Sequence, residues 1–526
     1  MKKPSLTIPL LCSVFVSGTV HAQKAPTQSE AEFQKLMPVT GDVDTYFGKF
    51  KLDHSFPAVG EAEKIYDLMD HQRASQLYLW GLPLVGMTRW HQGYYDAYED
   101  YDYNVLLDIK RFDERRGVLT ANETTHYYWG FGNTRDAAVM LNVPECLAVG
   151  MIVDMWQQSP TDIGIFGPNA GKGDNLVIVG PNTPAEAIPE PADGVAIHKV
   201  STDRVYYLLR LLGTPEDVEA AIRKVRIYSY GEESKPIKII DAEDKFVPMY
   251  QPRGLAYWEM LHFAINQEVV QERDRLFMYW LKGLGIEKGK PFNPTERQKK
   301  ILIDSTKTGE LMAKTLVYNE RLDGVLRQNN WRMILGGKRG DGIKNTQRTK
   351  YYDIFDPRAR YTYEAITTSP AMTIPKPGTA QAYIGKFEDE DGGRLQGGNN
   401  YVIHIQKDVP AELFWSVVIY DTDTRCLLDN RAGPAGGKAS MGELVAPYLR
   451  KIMKKKDPRK NADGSYYMLL GPDPAPKGWE INHVQTIEGR GWFPYIRAYA
   501  AKAEFFNDEY KFPTIKKVKD FSEYTK

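Results

Sequence analysis

The stretch Phe414-Trp415-Ser416-Val417-Val418-Ile419-Tyr420, with Tyr401-Val402-Ile403-His404-Ile405 just before it, decides the reading of the fold. Both segments are short, rich in β-branched and aromatic residues and bounded by turn formers, the pattern of buried strands. Working backward, the Pro-spaced stretch Ser369 to Pro377 separates them from a region whose apolar period is helical. There Asn293-Pro294-Thr295-Glu296 opens a helix to Leu316, and another is predicted from Leu255 to Leu281. Thr214-Pro215-Glu216-Asp217 opens a third, with Thr214 at the N-cap, Pro215 at the first helical position and Asp217 in the acidic first turn. Earlier still, from Asp96 to Val200, apolar runs such as Leu147 to Val153 and Leu176 to Val179 lie between Gly, Pro and Asn and read as strands. Val205 to Leu212 is a further apolar run, ended by Gly213. Glu61 to His91 has helical spacing through Ile65, Leu68, Leu77 and Trp80, and Pro83 is expected to kink or end that helix. Strands, then helices, then strands predict an α+β multidomain chain and argue against a doubly wound sheet.

The expected division is a leader over 1–22, an N-terminal extension over 23–60, and a helix plus β-rich domain over 61–212. A helical linking region over 213–375 and a β-sandwich domain over 376–526 complete it. With 526 residues, 42% hydrophobic and 26% charged, the chain can bury a large core, and wholesale disorder is excluded. Lys+Arg and Asp+Glu are both 68, so no electrostatic footprint points to nucleic acid.

Met1-Lys2-Lys3, the apolar run Leu6 to Val20 and the small residues of Val20-His21-Ala22 predict a secretory signal peptide cut before Gln23. The run is shorter than the roughly 20 residues a span needs, and Pro9 interrupts it. A periplasmic or secreted protein without an integral membrane segment is therefore expected. Cys146 and Cys426 remain after cleavage and could form one disulfide or stay as buried thiols. Their separation in sequence motivates free thiols.

A resemblance enters with Gly398-Asn399-Asn400-Tyr401-Val402-Ile403-His404, Pro410, Phe414-Trp415-Ser416, Tyr420-Asp421, Thr424-Arg425 and Asp429-Asn430-Arg431. These resemble the C-terminal half of a bacterial exported family, known by a domain of unknown function numbered 1254 followed by one numbered 1214. Asp463-Gly464-Ser465, Pro474-Ala475-Pro476-Lys477-Gly478-Trp479 and Arg497-Ala498-Tyr499 are similar to the same C-terminal domain. Upstream, Gly81-Leu82-Pro83-Leu84-Val85, Asn122-Glu123-Thr124-Thr125-His126-Tyr127 and Gly180-Pro181-Asn182 fit the first domain in order. So does the link through Gly283-Leu284-Gly285-Ile286 and Gly289-Lys290-Pro291-Phe292. The chain departs from the family at Thr124, where an acid is expected; an acid with a chemical role would be lost or moved to Glu123. The resemblance implies export and an antiparallel C-terminal β-sandwich of jelly-roll type, and supplies no reaction.

Several motifs that look catalytic fail on their spacing. Asp421-Thr422-Asp423-Thr424-Arg425 follows a strand like the nucleophile motif of haloacid dehalogenase-like phosphatases, but Arg425 stands where Thr or Val belongs. Gly167 to Gly173 lacks the first glycine and the Ser or Thr of a phosphate loop. No Gly-x-Ser-x-Gly elbow occurs. Glu-x-x-His appears at Glu123 and His126, Glu259 and His262, and Glu480 and His483. Only the second pair sits on a predicted helix, so no di-iron set forms from them. The acids Glu388 to Asp391 lack the spacing of a calcium loop and read as a hairpin turn. The basic stretch Arg450 to Lys460 reads as a solvated helix end that could touch anionic lipid or glycan. No metal or cofactor is predicted.

What remains is the aromatic content, 32 Tyr, 10 Trp and 20 Phe, densest over Trp90 to Tyr103 and at Tyr127-Tyr128-Trp129. An apolar ring with a polar tip suits a wet cleft for a sugar or small molecule, and equally a subunit interface. Two function classes follow: an exported protein that binds a small molecule or glycan in an aromatic-lined cleft, with enzymatic turnover left open, or a noncatalytic envelope or assembly protein, including a homo-oligomer. Asn122, Thr125, Tyr127, Tyr420, Asp421, Arg425, Asn430 and Arg497 are expected to share one ligand-binding surface, because loops at strand ends present polar groups. Arg497 is expected to pair with Asp421 or with a ligand carboxylate. The alternative is that Asp421 and Arg497 tie two strands together.

Overall fold

The computed structural model describes residues 27–526 except 124, 320–326, 336–346, 375, 380, 434–436 and 454–455. The expected leader, Thr124 and two lysines of the basic stretch lie outside the described residues. Among the described residues there are eleven α-helices and five sheets, and none of the sheets closes into a barrel. No helix among them is long and apolar enough to cross a membrane. The chain divides into two compact units at Met69 and Asp70, a boundary inside the helix Glu61–Ala97.

The first unit holds the helix Glu30–Leu36 and an antiparallel sheet of Gly41–Thr45, Gly48–Asp53 and Phe56–Pro57. Ser29 caps the helix by accepting the Glu32 amide, and the Glu32 carboxylate returns to the Ser29 amide. The expected N-terminal extension over 23–60 thus contains regular structure.

In the second unit a six-stranded sheet runs Ile239–Asp241, Leu106–Ile109, Tyr127–Asn133, Arg204–Leu211, Ala148–Asp154, Thr161–Gly164. A four-stranded sheet runs Ala196–Lys199, Asp174–Val179, Val139–Val143, Arg226–Ser229. Val205, Tyr207 and Leu209 of the first share an apolar layer with Leu141, Leu176 and Ile178 of the second. The alternation of a strand then turns Tyr206, Leu208 and Arg210 to the opposite face. Tyr206 and Leu208 enter the largest core there, together with Trp80, Leu84, Trp90 and Tyr94 of the long helix.

The C-terminal region repeats this logic. A five-stranded sheet runs Arg332–Met333, Gln381–Gly385, Trp492–Ala501, Ala411–Asp421, Ser440–Leu444. A four-stranded sheet runs His483–Gln485, Tyr466–Gly471, Asn400–Ile405, Ile515–Val518. Ile384, Val417, Ile496 and Ala498 share a layer with Tyr401, Ile403 and Met468. Tyr383, Val418, Tyr420, Phe493 and Tyr495 occupy the other face and join the largest core. Arg497 and Tyr499 follow Tyr495 at the period of two, on that same face.

Two helical expectations change. The helix Glu61–Ala97 continues through Pro83, because the turns around it are fully buried and packing holds them; Leu82 and Val85 have no exposed surface. A Cβ at Gly81 would sit 2.9 Å from the Tyr257 hydroxyl, so glycine permits this close approach. The helix expected over Leu255 to Leu281 is split into Leu255–Gln267 and Arg275–Gly283. Glu268 leaves the helix to meet the buried Arg204 at 2.6 Å and the Asp203 amide at 2.8 Å. The helices Pro215–Ile222 and Glu296–Tyr318 begin at the Thr214 and Thr295 caps, as their sequences predict.

Candidate functional site

The two faces just described meet around a pair of buried arginines. Arg210 donates from Nη1 to the Tyr499 hydroxyl at 2.8 Å and from Nη2 to the Tyr127 hydroxyl at 3.2 Å. Its guanidinium lies 4.5 Å from the Tyr127 ring centroid. Arg497 donates from Nη2 to the Tyr420 hydroxyl at 2.7 Å and to the Thr120 carbonyl, and lies 5.0 Å from the Tyr383 ring centroid. Tyr420 in turn donates to the Ala121 carbonyl at 2.7 Å.

The loop through Thr120 and Asn122 is held in place by the C-terminal sheet. The Thr120 amide donates to the Arg425 carbonyl at 2.8 Å, and Leu119 bridges to Cys426. Asn122, fully buried, gives its backbone N–H to Tyr127 Oη at 2.9 Å and its side-chain amide to Tyr499 Oη. The Asn122 carbonyl accepts from Arg115 Nη1 at 3.2 Å.

Tyr499 Oη therefore receives donors from Arg210 and Asn122. Hydrogen bonds donated to a phenol oxygen, one of them from a cation, favour its phenolate form. Burial pushes the Tyr499 phenol up, but the two guanidiniums outweigh it and lower it to about 8. For both arginines burial disfavours the charge, and the surrounding tyrosines reverse that: Tyr127, Tyr499 and Tyr383 about Arg210, and Tyr420, Tyr499, Tyr383 and Tyr127 about Arg497. Among the described residues neither guanidinium has a carboxylate within ion-pair distance. The Nε of each is buried without a hydrogen-bond partner.

Both arginines line a cavity of about 60 Å³, walled by Trp90, Tyr127, Tyr206, Tyr383 and Tyr495 among others. It is roomier than the roughly 10–15 Å³ that one water needs.

Of the residues expected to share a surface, Asn122, Tyr127, Tyr420 and Arg497 converge here. Thr125, Asp421, Arg425 and Asn430 do not. Asp421 faces Trp492 in the ladder and Arg497 faces Ser416, so the register keeps the two side chains apart. Asp421 takes Arg490 at 2.7 Å instead, and its other oxygen accepts the Asp423 and Thr424 amides at 2.9 and 2.8 Å. Arg425 stacks 4.0 Å from the Tyr363 ring centroid and reaches Gln251 at 2.8 Å. Asn430 braces a loop through the Lys438 and Gln485 carbonyls at 2.7 and 2.8 Å. Thr125 lines a separate, wider cleft of about 1040 Å³ beside His126, Asp108 and Lys110. There His126 Nε2 and Lys110 share the Asp108 carboxylate.

The sequence reading missed Arg210, Tyr499, Tyr383 and Arg115. A signal existed for Arg210, a charge inside the apolar run Val205 to Leu212, where an unpaired cation is rare. The other motifs resolve locally. His262 bonds the Lys290 carbonyl at 2.8 Å, and Asp389 closes its hairpin by accepting the Gly393 amide at 2.7 Å. Among the described residues no three His, Cys, Asp or Glu side chains gather as a metal would need. Cys146 and Cys426 are both free thiols.

This site is built from two segments that are recognisable in other proteins. Residues 104–228 match the family described as "Protein of unknown function (DUF1254)", and residues 380–503 match "Protein of unknown function (DUF1214)". The chain therefore carries a DUF1254 domain followed by a DUF1214 domain, the order its motifs implied. Arg115, Asn122, Tyr127 and Arg210 fall in the first segment; Tyr383, Tyr420, Arg497 and Tyr499 fall in the second. The VPA0106 protein from Vibrio parahaemolyticus, a structural genomics target, is similar at 18% identity and a TM-score of 0.50. That match covers 86% of this chain and 100% of that one, and it is a likeness of fold. An uncharacterized protein from Burkholderia cenocepacia is matched over 86% of this chain and 96% of that one, at 11% identity and a TM-score of 0.37. No curated protein matches the chain.

Proposed function

We propose that this chain is an exported protein that binds a small molecule in the aromatic cavity where the DUF1254 and DUF1214 segments meet. The observation that carries the reading is the cavity itself: aromatic walls with a few convergent polar groups are the usual composition of a ligand site. Its small volume favours a small molecule over a glycan. Export rests on the basic start, apolar run and small residues of Met1 to Ala22, and on those the periplasm or the exterior is the location. We assign the domains as 61–212, 213–375 and 376–526, the last a sandwich of jelly-roll form, supported by the apolar layer that its two sheets share.

The test is native mass spectrometry of the purified protein beside Ala365→Phe, which places a ring in the cavity lined by Ala365. A retained small molecule in the natural chain that is lost in a folded Ala365→Phe is the expected result. Equal retention in both would refute the cavity as its site.

One observation favours a second role in assembly. In the first unit Phe33, Tyr46, Phe47 and Phe56 are all largely exposed, Tyr46 at 98%. The Tyr46 and Phe47 rings also meet edge to face at 5.5 Å, so at least these two form an exposed apolar pair that a partner could cover. Light scattering on Tyr46→Ser with Phe47→Ser tests it: an assembly lost in the double variant supports the role, and a monomer in both chains removes it.

A further inference from the structure

The charge of this cavity defines the class of molecule that completes it, an inference resting on the reading that the cavity binds a ligand. Arg210 and Arg497 are 7% and 5% exposed, and both line it. Buried cations are ordinarily matched by carboxylates, because an unpaired charge away from water is costly. Here the tyrosine hydroxyls of Tyr127, Tyr420 and Tyr499 and the Thr120 carbonyl accept from them, and among the described residues no carboxylate lies within ion-pair distance. Each keeps one buried Nε–H donor unused.

We propose that the cavity takes a small monocarboxylate, its carboxylate held between Arg210 and Arg497 and its apolar part against the Trp90, Met151 and Leu208 walls. An anion would take up the Nε–H donors that Arg210 and Arg497 leave unused. The planar fork of a guanidinium suits a carboxylate through paired hydrogen bonds. The volume disfavours a bulkier anion. The carboxylate and the Tyr499 phenolate compete for the same two cations, so binding and the state of Tyr499 are linked.

The experiment compares acetate and propionate with acetamide and propionamide, which keep shape and lose the charge, by calorimetry and thermal shift on the full chain. The acids are expected to bind at least about tenfold more tightly, the worth of a hydrogen bond to a charged group. Arg210→Met and Arg497→Met should each remove that preference. At saturation the acid should raise the midpoint of the early tyrosine titration by about one unit, as a neighbouring like charge does. Amides binding as well as acids would overturn the carboxylate inference and leave the cavity reading intact. Binding of neither class would also overturn it. A molecule still retained through purification would then keep the cavity reading, and its absence would sink both. The comparison of acid with amide on the natural chain stands even if the arginine variants fail to fold.

Discussion

Titrating Tyr499 tests the core of the site directly. An ordinary tyrosine loses its proton near 10, and the two guanidiniums lower Tyr499 to about 8 against the opposing effect of burial. A difference of that size corresponds to about 3 kcal/mol of preference for the phenolate in the folded protein. At about pH 9 roughly nine-tenths of Tyr499 should be phenolate, against roughly one-tenth of an ordinary tyrosine. The phenolate absorbance in the near ultraviolet reads this, and the native protein should show one early tyrosine step before the rest titrate. Tyr499→Phe should remove that step, and Arg210→Met should move it upward by at least about one unit. Because the folded value lies below the unfolded one, the stability gained is fully present above about 10 and is lost as the pH falls through about 8. Stability alone is the poorer assay. Burial pulls the Lys438 ammonium down to about 8, and that group adds a rise of the same sign over the same range. A native protein with no tyrosine titrating early, or an early step that survives Tyr499→Phe, would show that the two guanidiniums do not act on Tyr499 in this way.

Asp421→Ala should destabilise the chain by about 1–3 kcal/mol in denaturant unfolding, since it leaves two partly buried amides and Arg490 without their acceptor; an unchanged midpoint would show that the carboxylate is not structural. Glu268→Ala should cost about 3–5 kcal/mol by stranding the buried Arg204, and a smaller loss than Asp421→Ala would contradict the account of the broken helix. A thiol reagent without reductant should label the half-buried Cys146 in the native protein and reach Cys426 only on unfolding, because Cys426 is buried and its thiol is pushed up to about 12 by that burial. Rapid native labelling of Cys426, or labelling of either only after reduction, would count against this.

Features that a short window of chain can carry were legible in the residues alone. Thr214 and Thr295 start helices because a hydroxyl can accept the amide three residues on, which needs no distant partner. The runs at Val205 and Phe414 are strands because their residues suit a pleated, buried surface. The period of two even places Arg497 and Tyr499 on one face. Motifs at Asn122, Tyr127, Tyr420 and Arg497 were readable for the same reason. Which faces meet follows from long-range packing. Arg210 and Tyr499 are 289 residues apart and share a hydrogen bond, a pairing set by how two sheets pack and by no local pattern. The same holds for Glu268, which leaves its helix for Arg204, and for Asp421, whose partner follows from strand register. Capping and alternation are local properties of the backbone, whereas the choice of partner for a buried charge depends on which groups long-range packing brings within hydrogen-bond reach of it.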